Sequence, residues 1–451
     1  MSFGLIYSAS WDTATKTLSF FDKAGNTIYS CIVDISPQPL VDDPTKPLYL
    51  LSKVDGSTVR LAQYNSPPDV FEISTDGTTW ETATKNSDYT LDSGKGLYIR
   101  AQSQRTTFST SGQKMFRILM TGTIEAWNNV NSVLTPNFTS LTDLTTIGSS
   151  CLRGLFSRNL NDSAPDTALI KAPLFPATTL SPNCYQHCFY GCINLAQCAN
   201  VQATTLAQES CRAMYYGCIF ITEAVLPPAL TVASKAYANM FKECTGLTAI
   251  RSFPFTELDP NGVSHCGEMF QGCTSLTSAP ELKPTAIISS ASLDCSYYKM
   301  FYGCSSLHEV RIGAQSPDPV VLSDWLNGVA ATGDFYCIGG VAYTVDSASG
   351  IPTGWTRRSM TYKAYLTTSP HSDIYLSEYT KYSVFDYYDN QISYDSSKTY
   401  SLVGMYKMDG AVVTGNAELV GEDVSFESAI LKLYNNSPRI EVGYFEYSIS
   451  I

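Results

Sequence analysis

Met269-Phe270-Gln271-Gly272-Cys273-Thr274-Ser275-Leu276 decides how this chain is read, because the sequence states it five times. Cys188-Phe189-Tyr190-Gly191-Cys192-Ile193-Asn194-Leu195 comes first, followed by Met214-Tyr215-Tyr216-Gly217-Cys218-Ile219-Phe220-Ile221 and Met240-Phe241-Lys242-Glu243-Cys244-Thr245-Gly246-Leu247. Met300-Phe301-Tyr302-Gly303-Cys304-Ser305-Ser306-Leu307 closes the series. The closing cysteines (Cys192, Cys218, Cys244, Cys273, Cys304) stand 26, 26, 29 and 31 residues apart. A period in that range marks a solenoid, whose units bury their apolar faces only against their neighbours. Met214, Cys218, Met240, Phe241, Cys244, Met269, Phe270, Cys273, Met300, Phe301 and Cys304 are therefore the expected repeat core.

Outward from the motif, each unit divides into parts. Ala233-Ser234-Lys235-Ala236-Tyr237-Ala238-Asn239-Met240-Phe241 has apolar positions at helical spacing, so a short helix is expected before the Gly-Cys turn. Runs such as Leu226-Pro227-Pro228-Ala229-Leu230 and Ala279-Pro280-Glu281-Leu282-Lys283-Pro284 predict short strands bounded by turns. Leu155-Phe156-Ser157-Arg158-Asn159-Leu160 reads as a worn terminal copy. Val321-Leu322-Ser323-Asp324-Trp325-Leu326 through Trp355 reads as the closing cap. Cys184, Cys211, Cys266 and Cys295 precede the closing cysteines by 7 to 9 residues, and Tyr237 takes that place in the third copy. A position that accepts Tyr for Cys is used as a small hydrophobe, so buried reduced thiols are expected, with disulfides as the alternative.

The flanks read as β structure. Thr17–Asp22 and Thr27–Ser30 around a Lys23-Ala24-Gly25-Asn26 turn predict an N-terminal hairpin. A lone hairpin is marginal in water, which suits an attachment point to another module or chain. A Pro-rich linker runs to Pro47. Over 48–125, alternating runs such as Val70–Ser74, then Asp76-Gly77, then Leu97–Ala101 predict a small antiparallel β-sandwich. After residue 359 the motif disappears and thirteen tyrosines fall between 360 and 451, with alternating runs that predict a second sandwich. The expected architecture is β-rich and multidomain. It comprises a hairpin and linker (1–47), a β-sandwich (48–125), an α/β repeat solenoid with terminal caps (126–358) and a Tyr-rich β-sandwich (359–451).

The totals narrow the function. At 451 residues the chain exceeds one ordinary core. A net charge of −12 argues against nucleic acid or an anionic membrane surface as partner. No apolar run reaches membrane-spanning length, so no membrane insertion is expected. The start, MSFGLIYSASWD, lacks a basic region leading into an apolar stretch, so no secretory leader is expected there.

With these residues in view, the array resembles BspA-like leucine-rich repeats, whose usual unit is Met-Phe-x-Gly-Cys-x-Ser-Leu-Thr followed by a Pro-Leu strand. The likeness covers roughly residues 135–358. Cys188 for Met and Ile221 for Leu are conservative departures, whereas Lys242-Glu243 for x-Gly is expected to alter its turn. Ser74–Trp80 with Gly94–Arg100 is similar to the β-domain that often precedes such repeats, and Lys16–Asn26 looks like short attachment segments in structural proteins of phages that infect gut Bacteroides. The resemblance implies binding rather than catalysis. It points to a virion structural or adhesion protein, such as a tail or head fibre or a receptor-binding or decoration protein, displaying a recognition surface toward a host-surface glycan or protein. Its partners would be other virion proteins, met through the N-terminal region, with homo-oligomerisation left open. A bacterial cell-surface adhesin is the alternative within the binding class, and a fibre-borne glycan-degrading enzyme is the alternative outside it.

Candidate chemistry is sparse, and no cofactor is expected. Cys184-x3-Cys188-x3-Cys192 encloses His187, but structural zinc favours two matched cysteine pairs, and these cysteines fall at repeated apolar phases. His265, His308 and His371 lie far apart, without the His–carboxylate–nucleophile grouping that Ser or Cys catalysis needs. Asp386-Tyr387-Tyr388-Asp389 could pair carboxylates as a glycosidase does. A structural Tyr-flanked acidic turn is the commoner reading, with most tyrosines of this region in a core or subunit interface; sugar stacking on Tyr387 and Tyr388 is the alternative that makes these four the candidate ligand-binding residues.

Overall fold

The computed structural model describes residues 8–12, 17–21, 24, 27–32, 40–62, 70–105, 116–157, 166–284, 286–289, 293–314, 322–337, 341–346, 349–365, 374–375, 383–385, 391–392, 399–406, 413, 441–442 and 444–450. Two compact units divide the chain, Met1–Asp42 and Asp43–Ile451. The described residues contain no α-helix, only β structure and three short 3-10 turns within 130–146. None of their helices is long and apolar enough to cross a membrane.

In the first unit β1 (Ser8–Asp12), β2 (Thr17–Phe21) and β3 (Thr27–Ile32) form an antiparallel sheet in that order. The expected hairpin is therefore one strand short. Ser8–Asp12 pairs along its free edge, with Trp11 opposite Leu18. A two-stranded ribbon is marginal, and the third strand satisfies one of its bare edges.

The second unit opens with two sheets. Strands β4 (Leu48–Ser52), β5 (Ser57–Ala62), β6 (Phe71–Ser74), β7 (Glu81–Thr82), β8 (Asp88–Leu91), β9 (Gly96–Ala101), β10 (Arg117–Thr121), β11 (Ile124–Trp127) and β12 (Leu169–Lys171) build them. One runs β10-β5-β8 and the other β12-β11-β4-β9-β6-β7. Period-two alternation sends Leu48, Leu50, Val59, Leu61, Phe71, Ile73, Ile99 and Ile118 inward. There is no break near residue 125. Strand β12, from the repeat region, pairs in parallel with β11, and one apolar cluster runs from Leu48 to Met360.

The repeat region is a solenoid, and its motif segments are a ladder of turns rather than the expected helices. In the coil 183–192, even-numbered amides close locally, Gln186 onto the Asn183 carbonyl, Cys188 onto Tyr185, Tyr190 onto His187 and Cys192 onto Phe189, at 3.1–3.2 Å. Odd-numbered amides reach the next coil, Tyr185 to the Ser210 carbonyl, His187 to Arg212, Phe189 to Met214 and Gly191 to Tyr216, at 2.8–3.0 Å. Every fourth residue has a positive φ, 60° at Asn183, 57° at His187 and 74° at Gly191, which an α-helix does not allow. The same alternation recurs through 209–218, 235–244, 264–273 and 299–304. Residues 150–157 form a rung before them. Residues 322–328 form one after, the Phe301 amide meeting the Trp325 carbonyl at 2.9 Å, so the expected cap continues the stack. Apolar side chains at i, i+3, i+4 and i+7 line one side of this ladder as they would line a helix, which is why the two share a pattern.

Inside the ladder, Phe156, Phe189, Tyr215, Phe241, Phe270 and Phe301 stack as one spine, with successive centroids 5.2–5.6 Å apart and planes within 15°. Each such contact contributes about 0.5–1.5 kcal/mol beyond area burial. The closing cysteines have their own bonding role. Cys218, Cys244, Cys273 and Cys304 each donate a thiol to the carbonyl of the aromatic residue one coil earlier, at 3.0–3.1 Å. The thirteen cysteines from Cys151 to Cys337 are free. The second phase needs correction. Cross-coil bonds put Tyr185, Cys211, Tyr237, Cys266 and Tyr297 in register, alternating large and small, so Cys184 and Cys295 sit beside that column rather than in it. Lys242-Glu243 does not alter its turn either, because Glu243 adopts a φ of 60° where the other copies have Gly.

Short parallel strands complete the coils. β13 (Glu223–Ala224) pairs with β15 (Ala249–Ile250), and β14 (Thr231–Val232) pairs with β16 (Glu257–Leu258). β17 (Glu309–Ile312), β18 (Gly333–Cys337) and β19 (Trp355–Ser359) form a parallel sheet. Because each rung of the turn ladder donates forward, the first rung's carbonyls lack an earlier rung as partner, and the two-sheet module supplies donors. The Ile118 amide meets the Leu155 carbonyl at 2.8 Å, and Arg105 and Arg117, both buried, reach the carbonyls of Cys151 (3.5 Å) and Ser157 (3.4 Å). After residue 360, strands β20 (Thr361–Tyr365), β21 (Ile374–Tyr375), β22 (Ser383–Phe385), β23 (Gln391–Ile392), β24 (Thr399–Tyr406), β25 (Glu441–Val442) and β26 (Tyr444–Ser450) follow. They make an antiparallel sheet in the order β23-β22-β20-β26-β24 and a β21–β25 pair.

Candidate functional site

The repeat-core residues Met214, Cys218, Met240, Phe241, Cys244, Met269, Phe270, Cys273, Met300, Phe301 and Cys304 are all fully buried, so they set the spacing of the coils and touch no ligand. What they space is the exterior of the ladder. The residue before the Gly column points outward in every copy, giving Tyr190, Tyr216, Lys242, Gln271 and Tyr302 one coil apart, each partly exposed. Tyr190 and Tyr216 stack at 4.8 Å, and the Tyr216 hydroxyl donates to Glu243 at 2.9 Å. Burial and that carboxylate push the Tyr216 phenol well up, so it remains a donor at neutral pH.

Polar and charged groups on this face are paired both within and between coils. Gln186 and Arg212 both donate to Glu209, at 2.9 and 2.8 Å, and Lys242 pairs with Glu268 at 2.5 Å. A concavity of about 270 Å³ lies beside them, lined by Arg212, Lys235, Asn239, Glu268, Asp294 and Tyr298. On the strand side, a shallow groove of about 550 Å³ is lined by Thr204, Thr205, Pro228, Leu230, Thr231 and Asp259. Hydroxyls recur there at coil spacing, and the Thr178 and Thr204 side chains donate to the carbonyls of Thr142 and Thr178. These faces offer donors and acceptors at a regular spacing over several coils, which fits recognition of an extended ligand.

The sequence-level candidates come to rest as follows. Cys184, Cys188 and Cys192 point into the core, while His187, at positive φ, meets the edge of Tyr190 at 5.5 Å. Burial and nearby Arg153, Arg212 and Arg117 push His187 down to about 3. No group of three or more His, Cys, Asp or Glu among the described residues is arranged to hold a metal. His265 and His308 contact the carbonyls of Asp259 and Ser306, each at 3.0 Å within its own coil. His371 and the candidate ligand-binding residues Asp386, Tyr387, Tyr388 and Asp389 lie outside the described residues.

Sequence reasoning missed an aromatic row on the outer face of the six-stranded sheet. Trp127 stands opposite Tyr49, and Tyr49 opposite Tyr98, on neighbouring strands. The alternation of single strands signals that these residues face outward, but not that they meet. No protein-family profile, no curated protein and no solved structure matches the chain.

Proposed function

We propose that this chain is a recognition and adhesion component of a phage virion appendage, built on BspA-like leucine-rich repeats and displaying its solenoid toward a host-surface ligand. One observation carries the reading, the single apolar core continuous from Leu48 to Met360. A core without a break holds the exterior ladder, the strand groove and the two-sheet module in fixed register, and a rigid extended surface binds with little ordering cost. In this reading the first unit is the attachment end. Its three strands form a small self-contained sheet that can dock on another virion protein.

The test is mass spectrometry of gradient-purified particles from a lysate in which the gene is expressed. Recovery at stoichiometric copy number supports the virion assignment. Recovery from a bacterial envelope fraction and absence from particles overturns it in favour of a cellular adhesin.

A further inference from the structure

An antiparallel sheet with one packed face ordinarily turns a polar face to water. The six-stranded sheet instead presents Trp127, Tyr49 and Tyr98 side by side on β11, β4 and β9, all partly exposed, with Trp80 beyond them. Tyr49 and Tyr98 stack at 4.3 Å. Each ring leans over a glycine, since a Cβ on Gly96 would lie 2.4 Å from the Tyr49 ring and one on Gly77 3.3 Å from the Tyr98 ring. At the two ends, Lys171 Nζ sits 3.8 Å from the Trp127 ring centroid and Arg100 Cζ 3.9 Å from that of Trp80. With strands about 4.8 Å apart, Trp127 to Tyr98 makes a row about 10 Å long.

We propose that this face binds a neutral oligosaccharide laid across β11, β4 and β9. Flat rings held by the sheet offer contact area at low entropy cost, and the C–H face of a pyranose stacks on such rings. Two of the cations around the row are matched with acids, Arg100 with Glu72 at 2.7 Å and Lys53 with Glu125 at 3.3 Å, Lys171 donates to the Ala126 and Ala172 carbonyls at 3.2 Å, and the Trp127 indole donates to Glu125 at 3.1 Å. Paired donors and acceptors exchange hydrogen bonds readily with sugar hydroxyls. An anionic glycan or nucleic acid would call for a cluster of cations, whereas Arg100 and Lys53 are each held by a carboxylate. A protein partner would favour a deep pocket for a central anchor, whereas these rings lie on the outer face of a sheet with ion pairs beside them. The inference rests on the adhesion reading and names the ligand chemistry for one of its surfaces.

The experiment uses the full chain on an immobilised array of neutral oligosaccharides, followed by retardation in native gels containing the best-bound neutral polysaccharide. Binding to at least one neutral glycan, little changed by high salt, is expected. Tyr49→Ala and Tyr98→Ala should each weaken it about ten-fold, while Tyr98→Phe, which keeps the ring, should stay within about two-fold. Failure of the whole array to hold the wild-type chain overturns the proposal, as does equal retention of the two Ala variants. If the Ala variants hold the glycan as well as wild type while the chain adheres to host cells, the glycan face is wrong while adhesion stands. If the wild-type chain adheres to no cells but holds a neutral glycan through these tyrosines, the face is right and the adhesion reading is wrong.

Discussion

Replacing Gly217 with alanine separates the turn ladder from a helix by the sign of its effect. Gly217 has a φ of 71°, and a Cβ there would meet nothing nearer than the Gly191 Cα at 3.9 Å. Space is therefore open, and the cost is conformational alone. A left-handed conformation costs an L-residue roughly 1–2 kcal/mol. Were 209–218 helical, the same change would stabilise it by about 0.5–1 kcal/mol. The Gly217 amide donates to the Lys242 carbonyl at 2.8 Å, so its hydrogen exchange reports opening of this rung directly. In Gly217→Ala, exchange at the amides of Ala213 and Tyr215 should speed up about 5–30-fold, the equivalent of 1–2 kcal/mol. The reverse change, Glu243→Gly, should slow exchange in its own rung, less the small loss of the Tyr216–Glu243 hydrogen bond. Slower exchange in Gly217→Ala would refute the ladder.

Three further outcomes follow from the same architecture. Phe241→Ala removes a fully buried ring that stacks on Tyr215 and Phe270, and should cost about 3–5 kcal/mol in denaturant titration; a loss below about 1 kcal/mol would mean the spine is not packed. Burial pushes the thiols up, to about 12 at Cys211 and Cys304, so both should resist alkylation at pH 8 in the native chain and react fully once unfolded; prompt native labelling would contradict their burial. Burial holds His187 and His265 below their ordinary value, so the unfolded chain binds more protons under pH 6.5. Stability should then fall as pH drops through that value, by at most about 1.4 kcal/mol per pH unit per histidine, and His187→Gln should flatten the slope; an unchanged slope would sink the assignment.

The repeat, its period and its buried positions were legible because five copies align on residues whose burial is extreme. The conformation of the motif segment was not. Tyr237, Met240, Phe241 and Cys244 fall at i, i+3, i+4 and i+7, a spacing that a helix and this ladder share. A distinguishing signal was present in Asn183, His187 and Gly191, residue types that tolerate positive φ, set four apart. It fades from the second copy on, where Glu209 and Ala213, then Lys235 and Glu243, take the same backbone under tertiary constraint. The N-terminal sheet was read one strand short because Ser8–Asp12, with only Ala9 and Trp11 apolar, is too polar to announce itself. The row of Trp127, Tyr49 and Tyr98 was invisible for another reason, since it is assembled laterally from strands far apart in the chain.

In the turn ladder the backbone bonds between rungs all run forward, so there the two ends of the stack are chemically different, one offering acceptors and the other donors. Two such stacks cannot be joined face to face through like ends, so length can change only by inserting or deleting whole coils in frame. Each such event leaves the arginine-sealed end and the closing strands as they were, and moves whatever the far end carries by about 4.8 Å. Reach in this scaffold is thus a quantity that gene duplication can adjust in fixed steps, without redesign of either terminus.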